Sequence, residues 1–142
     1  MGENRSFVAV VDDEDAIRKA LRRLLRSAGL DVSTYASGPE FLLSLTARKP
    51  DCVVLDIRMP GMTGFDVQAR LKADNIALPI VFITALDDPG DAPRAMQAGA
   101  SAFLRKPFGD EDLLAAIGDA VRSTRTGSEA TMPMAKIKRS MD

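Results

Sequence analysis

Asp12, Asp13, Asp56, Thr84 and Lys106 each stand at the end of an apolar run or directly past it. Phe7-Val8-Ala9-Val10-Val11 leads into Asp12-Asp13, and Cys52-Val53-Val54-Leu55 into Asp56. Ile80-Val81-Phe82-Ile83 leads into Thr84, and Ala102-Phe103-Leu104-Arg105 into Lys106. A short apolar run bounded by turn signals reads as a strand buried on both faces. In an open α/β sheet, the carboxyl ends of the strands line the ligand crevice. Three carboxylates, one hydroxyl and one ammonium are therefore expected to meet at one sheet edge.

That set suits phosphate and a hard cation. Crowded carboxylates repel and raise one another's pKa. A divalent cation relieves the repulsion, and Mg2+ is typically held by one or two carboxylates with waters and phosphate oxygens. Lys106 adds positive charge for the oxygens of a transferring phosphoryl group. A carboxylate can serve as nucleophile and carry an acyl phosphate. Asp56, alone at the end of a central strand, is the candidate nucleophile. Thr84 is placed to hydrogen-bond a phosphate oxygen.

Other chemistry is excluded. With no histidine, a Ser-His-Asp triad, a His general base and His metal ligands are ruled out. One cysteine cannot form a zinc-thiolate cluster or an internal disulfide. Cys52 begins an apolar strand and reads as a buried, reduced thiol in a cytoplasmic protein. A net charge of −1 gives no general attraction to nucleic acid or an anionic membrane. No apolar run approaches the ~20 residues of a membrane span.

The segments between the strands have helical period. Ile17, Leu21, Leu24, Leu25 and Ala28 form one apolar stripe, with Arg18, Lys19, Arg22, Arg23 and Arg26 on the solvated face and Gly29 as the stop. Ser37 opens a second helix whose core residues are Phe41, Leu42 and Leu45. A third runs from about Phe65 to Ala73. The breaker-rich stretch 87–93 reads as a loop before a short helix over Arg94–Ala98. A last helix starts near Asp110 and buries Leu113, Leu114, Ile117 and Val121. Five strands alternating with five helices imply an α/β fold, with parallel βα units, right-handed crossovers and a sheet covered on both faces. The strand Asp31–Tyr35 alternates apolar and polar residues and belongs at an edge. Residues 1–6 are a lead, 7–122 the folded domain, and 123–142 a flexible tail. Glu14 and Asp15 read as N-terminal helix charges, and Gly61 and Gly64 as backbone turns.

On these residues the chain resembles the receiver domain of two-component response regulators. The resemblance runs from residue 7 to about 122. It rests on Asp12-Asp13, on Asp56 in Leu55-Asp56-Ile57-Arg58-Met59-Pro60-Gly61, on Thr84-Ala85, on Lys106-Pro107-Phe108, and on Ala98-Gly99-Ala100 with Phe103. Gly90-Asp91-Ala92-Pro93 and Phe108 look like the branch that includes the nitrogen-fixation regulators, many of which carry a C-terminal helix-turn-helix. The resemblance implies a flavodoxin-like (βα)5 doubly wound parallel sheet, strand order 2-1-3-4-5. It implies that Asp56 accepts phosphate from the phosphohistidine of a sensor histidine kinase in bacterial signalling. Asp13 and Asp56 would ligate Mg2+ directly, Asp12 through water, and Arg58 through its backbone carbonyl. Thr84, Ala85, Lys106 and Phe103 would form the phosphate-binding and switch set, with Pro107 after a cis bond. The surface of the fourth helix, fifth strand and fifth helix would then change shape for a downstream protein, or for a homodimer on phosphorylation.

Alternatives stand beside this reading. Phe103 is either a switch or a static core aromatic, since it lacks a hydroxyl to hold a solvent-facing state. An aspartyl-phosphate phosphatase would place a second acid two residues after its nucleophile, where this chain has Arg58. Signalling by binding alone would not need the full set of acids, Thr84 and Lys106. The chain is expected not to be an enzyme beyond phosphorylating itself on Asp56 and slowly losing the phosphate. It is expected to make no nucleic-acid contact of its own. Segment 123–142 is too short for a helix-turn-helix domain, so the chain is a stand-alone receiver or the N-terminal part of a longer regulator, with the stand-alone form favoured.

Overall fold

Apolar runs flanked by turns become the middle of one sheet. A computed structural model describes residues 5–85 and 88–130, with side chains as far as residue 123. The elements alternate throughout: β1 (Phe7–Val11), α1 (Asp15–Ser27), β2 (Asp31–Tyr35), α2 (Gly38–Ser44), β3 (Cys52–Asp56), α3 (Gly64–Ala73), β4 (Ile80–Thr84), α4 (Asp91–Gln97), β5 (Ala102–Arg105) and α5 (Asp110–Ala130). The strands form one five-stranded sheet in the order β2-β1-β3-β4-β5. All four pairings are parallel. The expected fold class and strand order are observed, with β2 at an edge.

Every residue of β1, β3 and β4 is buried, whereas β2 and β5 are mostly half-buried. Successive side chains on a strand point to opposite faces, so the sheet has two cores. On one face Ala9, Val11, Val53, Leu55 and Phe82 pack with Phe41 of α2, Phe65, Val67 and Leu71 of α3, and Ala95 of α4. On the other, Val8, Val10, Cys52, Val54, Val81 and Ile83 pack with Leu21 and Leu25 of α1 and with Leu113, Ile117 and Val121 of α5. The sheet is thereby held rigid, and its strand ends share one edge.

Two element boundaries differ from expectation. α4 starts at Asp91, three residues ahead of Arg94, so Pro93 lies inside its first turn. A proline is tolerated there because the first amides of a helix have no partner within it. α5 continues past residue 122 to Ala130. Its Ser, Thr and Gly content read as a tail, yet no proline interrupts the chain before Pro133. The remainder of the expected tail, 131–142, and most of the lead, 1–4, lie outside the described residues.

Candidate functional site

The parallel topology delivers the expected residues to one edge. Asp12 is the residue after β1 and is fully buried. Asp56 ends β3 and is 3% exposed. Asp13 is exposed. One carboxylate oxygen from each of the three lies within 4.8 Å of the others. Thr84 ends β4, fully buried, and the exposed Ala85 follows it.

Lys106 is held from two directions. Its backbone N–H donates to the Thr84 carbonyl at 2.8 Å. Its Nζ donates to Asp12 Oδ2 at 2.9 Å and to Glu14 Oε1 at 3.4 Å, and stands 3.9 Å from Asp56 Oδ2. Burial works to lower the Lys106 pKa. The hydrogen bond to Asp12 and the charges of Asp56 and Asp12 outweigh it, so the pKa is raised and the ammonium stays charged. The Lys106–Pro107 peptide is cis.

Asp56 is buried, and its surroundings oppose its ionisation. Burial first, then the charge of Asp12, push its pKa from 3.8 up to about 7. Lys106 and the N–H of Arg58, which donates to Asp56 Oδ1 at 3.3 Å, pull against that rise. A carboxylate that resists ionising beside two others is short of positive charge. The donor set is all oxygen, which fits a hard divalent cation such as Mg2+. The local backbone is arranged for this: Asp12 Oδ1 accepts from the N–H of Glu14 at 2.9 Å, turning its carboxylate at the start of α1.

Phe103, on edge strand β5, is half-buried and packs against the core cluster on the α3 and α4 side, with the Arg105 guanidinium 5.3 Å from its ring centre. Three further residues bear on the site. Glu14 contacts Lys106, a role beyond that of a helix charge. Gly64 is more than a turn: its N–H donates to the Ile57 carbonyl at 2.9 Å, and a Cβ there would meet the Asp56 carbonyl oxygen at 2.5 Å. The Arg58 guanidinium is paired with Asp91 at the start of α4 and lies 3.5 Å from Asp88. No local sequence signal connects Arg58 with Asp91. The Asp91 side of the pair had only the acidic first turn of α4 to mark it.

Comparison with known proteins agrees with this geometry. The family model described as "Response regulator receiver domain" matches residues 8–118. Nodulation protein W of Bradyrhizobium diazoefficiens is 41% identical over 134 residues, which cover 94% of this chain and 59% of that protein. The chain thus spans about three fifths of the length of that curated relative. A response regulator receiver protein from Burkholderia phymatum has a crystal structure that superposes with a TM-score of 0.74 at 47% identity, covering 83% of this chain and 96% of that one. The crystal structure of FixJ-N gives 0.78 at 34% identity, covering 84% and 95%. The phosphatase alternative finds no support among these relatives. Among the described residues, no helix is long and apolar enough to cross a membrane. From the strand-end carboxylates to the family match, the observations agree: this chain belongs to the response regulator receiver domains of two-component signal transduction.

Proposed function

We propose that Asp56 is the phosphoacceptor, charged by the phosphohistidine of a sensor histidine kinase. The observation that carries this reading is the convergence of Asp12, Asp13 and Asp56 within 4.8 Å, with Lys106 Nζ 3.9 Å from Asp56. In the transfer, an Asp56 carboxylate oxygen forms a bond to phosphorus as the donor's N–P bond breaks. The electron pair of that bond returns to the imidazole nitrogen. Lys106 sits where it can follow a phosphoryl oxygen, giving up part of its hold on Asp12. Thr84, at the end of the neighbouring strand, and the backbone at Ala85 would take a further oxygen. Asp13, Asp56 and the Arg58 carbonyl would hold Mg2+, with Asp12 acting through water. When bound, the cation supplies charge that neutralises the phosphoryl oxygens.

The output then runs through α4, β5 and α5 to a downstream protein or a second copy of the chain, with Phe103 as the aromatic that follows Thr84. The receiver unit is residues 7–122. It works as a stored-charge switch: Arg58 stands where a turnover phosphatase would carry its second acid. Incubation with acetyl phosphate and Mg2+ should add one phosphoryl group per chain, and Asp56→Asn should abolish it. Undiminished labelling of that variant at another residue would sink the assignment.

A further inference from the structure

α4 is lightly seated. It has seven residues and buries only Asp91 and Ala95. An element with so little apolar burial is drawn from the low-stability end of a fold. Polar ties make up the difference. Gln68 Nε2 of α3 donates to the Ala95 carbonyl at 3.3 Å, and the Arg94 guanidinium stacks 4.0 Å from the Phe65 ring centre. The third tie is the Arg58–Asp91 pair, and it differs in kind. Asp91 is a charged side chain only 9% exposed, and its partners among the described residues are the Arg58 guanidinium and the Asp88 N–H at 2.9 Å. Removing the cation from a buried carboxylate is costly, whereas breaking the pair with the 83% exposed Asp88 is cheap.

The other end of this tie is in the site. Arg58 is two residues past Asp56, and its N–H already donates to Asp56 Oδ1. A phosphoryl group carries a charge of about −1.5 to −2 and strong acceptor oxygens, for which a guanidinium is a matched partner.

We propose that the Arg58–Asp91 ion pair is a latch through which phosphorylation of Asp56 sets the seating of α4. It rests on the phosphoacceptor reading of Asp56. Before phosphorylation Arg58 neutralises buried Asp91 and pins the first turn of α4 to the loop after β3. A phosphoryl group on Asp56 competes for the same guanidinium. Asp91 then loses its counter-ion, and the cheapest relief is for the start of α4 to move towards water.

Hydrogen–deuterium exchange of the full chain in Mg2+, read on peptides covering 91–97, tests this with beryllofluoride as the phosphoryl mimic. Wild-type α4 should exchange faster once beryllofluoride is bound. Arg58→Met should exchange about tenfold faster without it, and beryllofluoride should add little. Adding Asp91→Asn to Arg58→Met should restore most of the protection, because a buried amide needs no counter-ion. Arg70→Met, which breaks the exposed i,i+4 pair with Asp74, should leave α4 unchanged. Wild-type exchange in Arg58→Met, or an undiminished beryllofluoride response in Asp91→Asn, would overturn the latch. The Asp91→Asn arm decides the matter even where Arg58→Met fails to fold. If 19F NMR shows beryllofluoride bound to wild type and not to Asp56→Asn while α4 exchange stays constant, the latch fails and the phosphoacceptor reading survives. If no adduct forms, the phosphoacceptor reading fails and the latch has no trigger.

Discussion

Gly64 lies against the carbonyl of Asp56 so closely that a Cβ would sit 2.5 Å from the oxygen, 3.0 Å from Ile57 Cα and 3.1 Å from the Phe82 ring. Two of those three neighbours are backbone, and the ring belongs to a fully buried side chain, so none can move aside freely. The first residue of α3 therefore fixes where β3 ends, and with it the position of Asp56.

Gly64→Ala should destabilise the chain by about 1–3 kcal/mol, the range for overpacking a filled site. It should also slow labelling of Asp56 by acetyl phosphate, since the displaced atoms include the Asp56 carbonyl. Gly61 is the control: its φ is +76° and nothing lies within 4 Å of an added Cβ. Gly61→Ala should cost only backbone strain, about 1–2 kcal/mol, with labelling retained. Urea unfolding and acetyl phosphate labelling of both variants check the contrast.

Lys106 carries a structural charge. Its Nζ is the ammonium on fully buried Asp12. Lys106→Met should leave that carboxylate without its cation, at a cost of about 3–5 kcal/mol in the absence of divalent metal. Millimolar Mg2+ should recover part of the loss, because the metal supplies the missing charge beside Asp12. Thermal melts in EDTA and in Mg2+ read the difference. Equal melting of wild type and Lys106→Met in EDTA would show that the pair contributes nothing.

The raised pKa of Asp56 makes stability depend on pH in a stated direction. Burial and the charge of Asp12 lift it from 3.8 to about 7 in the folded chain. Between those values the folded state binds the extra proton, so stability falls as pH rises through the window. Above about pH 7 the folded carboxylate is ionised and the full penalty applies. In EDTA, denaturant midpoints should decline from acid to neutral pH. Asp56→Asn should flatten that decline and be the more stable chain at about pH 8. Mg2+ should flatten it in the wild type. A wild-type midpoint that rises from about pH 5 to 7 in EDTA would contradict the assignment.

What could be read ahead of the structure followed from burial. β1, β3 and β4 are covered on both faces, so every residue of each had to be compatible with burial, and the apolar runs stood out. Parallel pairing then brought Asp12, Asp56, Thr84 and Lys106 to one edge without any knowledge of side-chain positions. The residues that escaped act through space or through an absence of atoms. Arg58 and Asp91 are 33 positions apart and meet across two loops, which no local period encodes. Gly64 matters for the Cβ it lacks. The start of α4 is hidden by the loop composition of Asp91-Ala92-Pro93, and the end of α5 by the tail-like Ser, Thr and Gly after residue 122.

Cys52 is the chain's single thiol, and its chemistry should report the closure of the sheet. It begins β3, is fully buried, and faces the core built with α1 and α5. Burial, with a smaller contribution from the Asp51 charge, pushes its thiol from 9.0 up to about 12. The thiolate is the reactive form, so at about pH 8 its population is roughly a thousandfold below that of an exposed cysteine, before access is counted. Ellman's reagent should therefore leave the native chain almost untouched and titrate one thiol per chain in denaturing urea. Because reaction in dilute urea must wait for opening of the β3 core, its rate should follow global unfolding. Gly64→Ala, if it destabilises as argued, should raise that rate in proportion to its loss of stability. Rapid native labelling of Cys52 would instead require a local opening of β3, and the strand carrying Asp56 could then not be the rigid support described above.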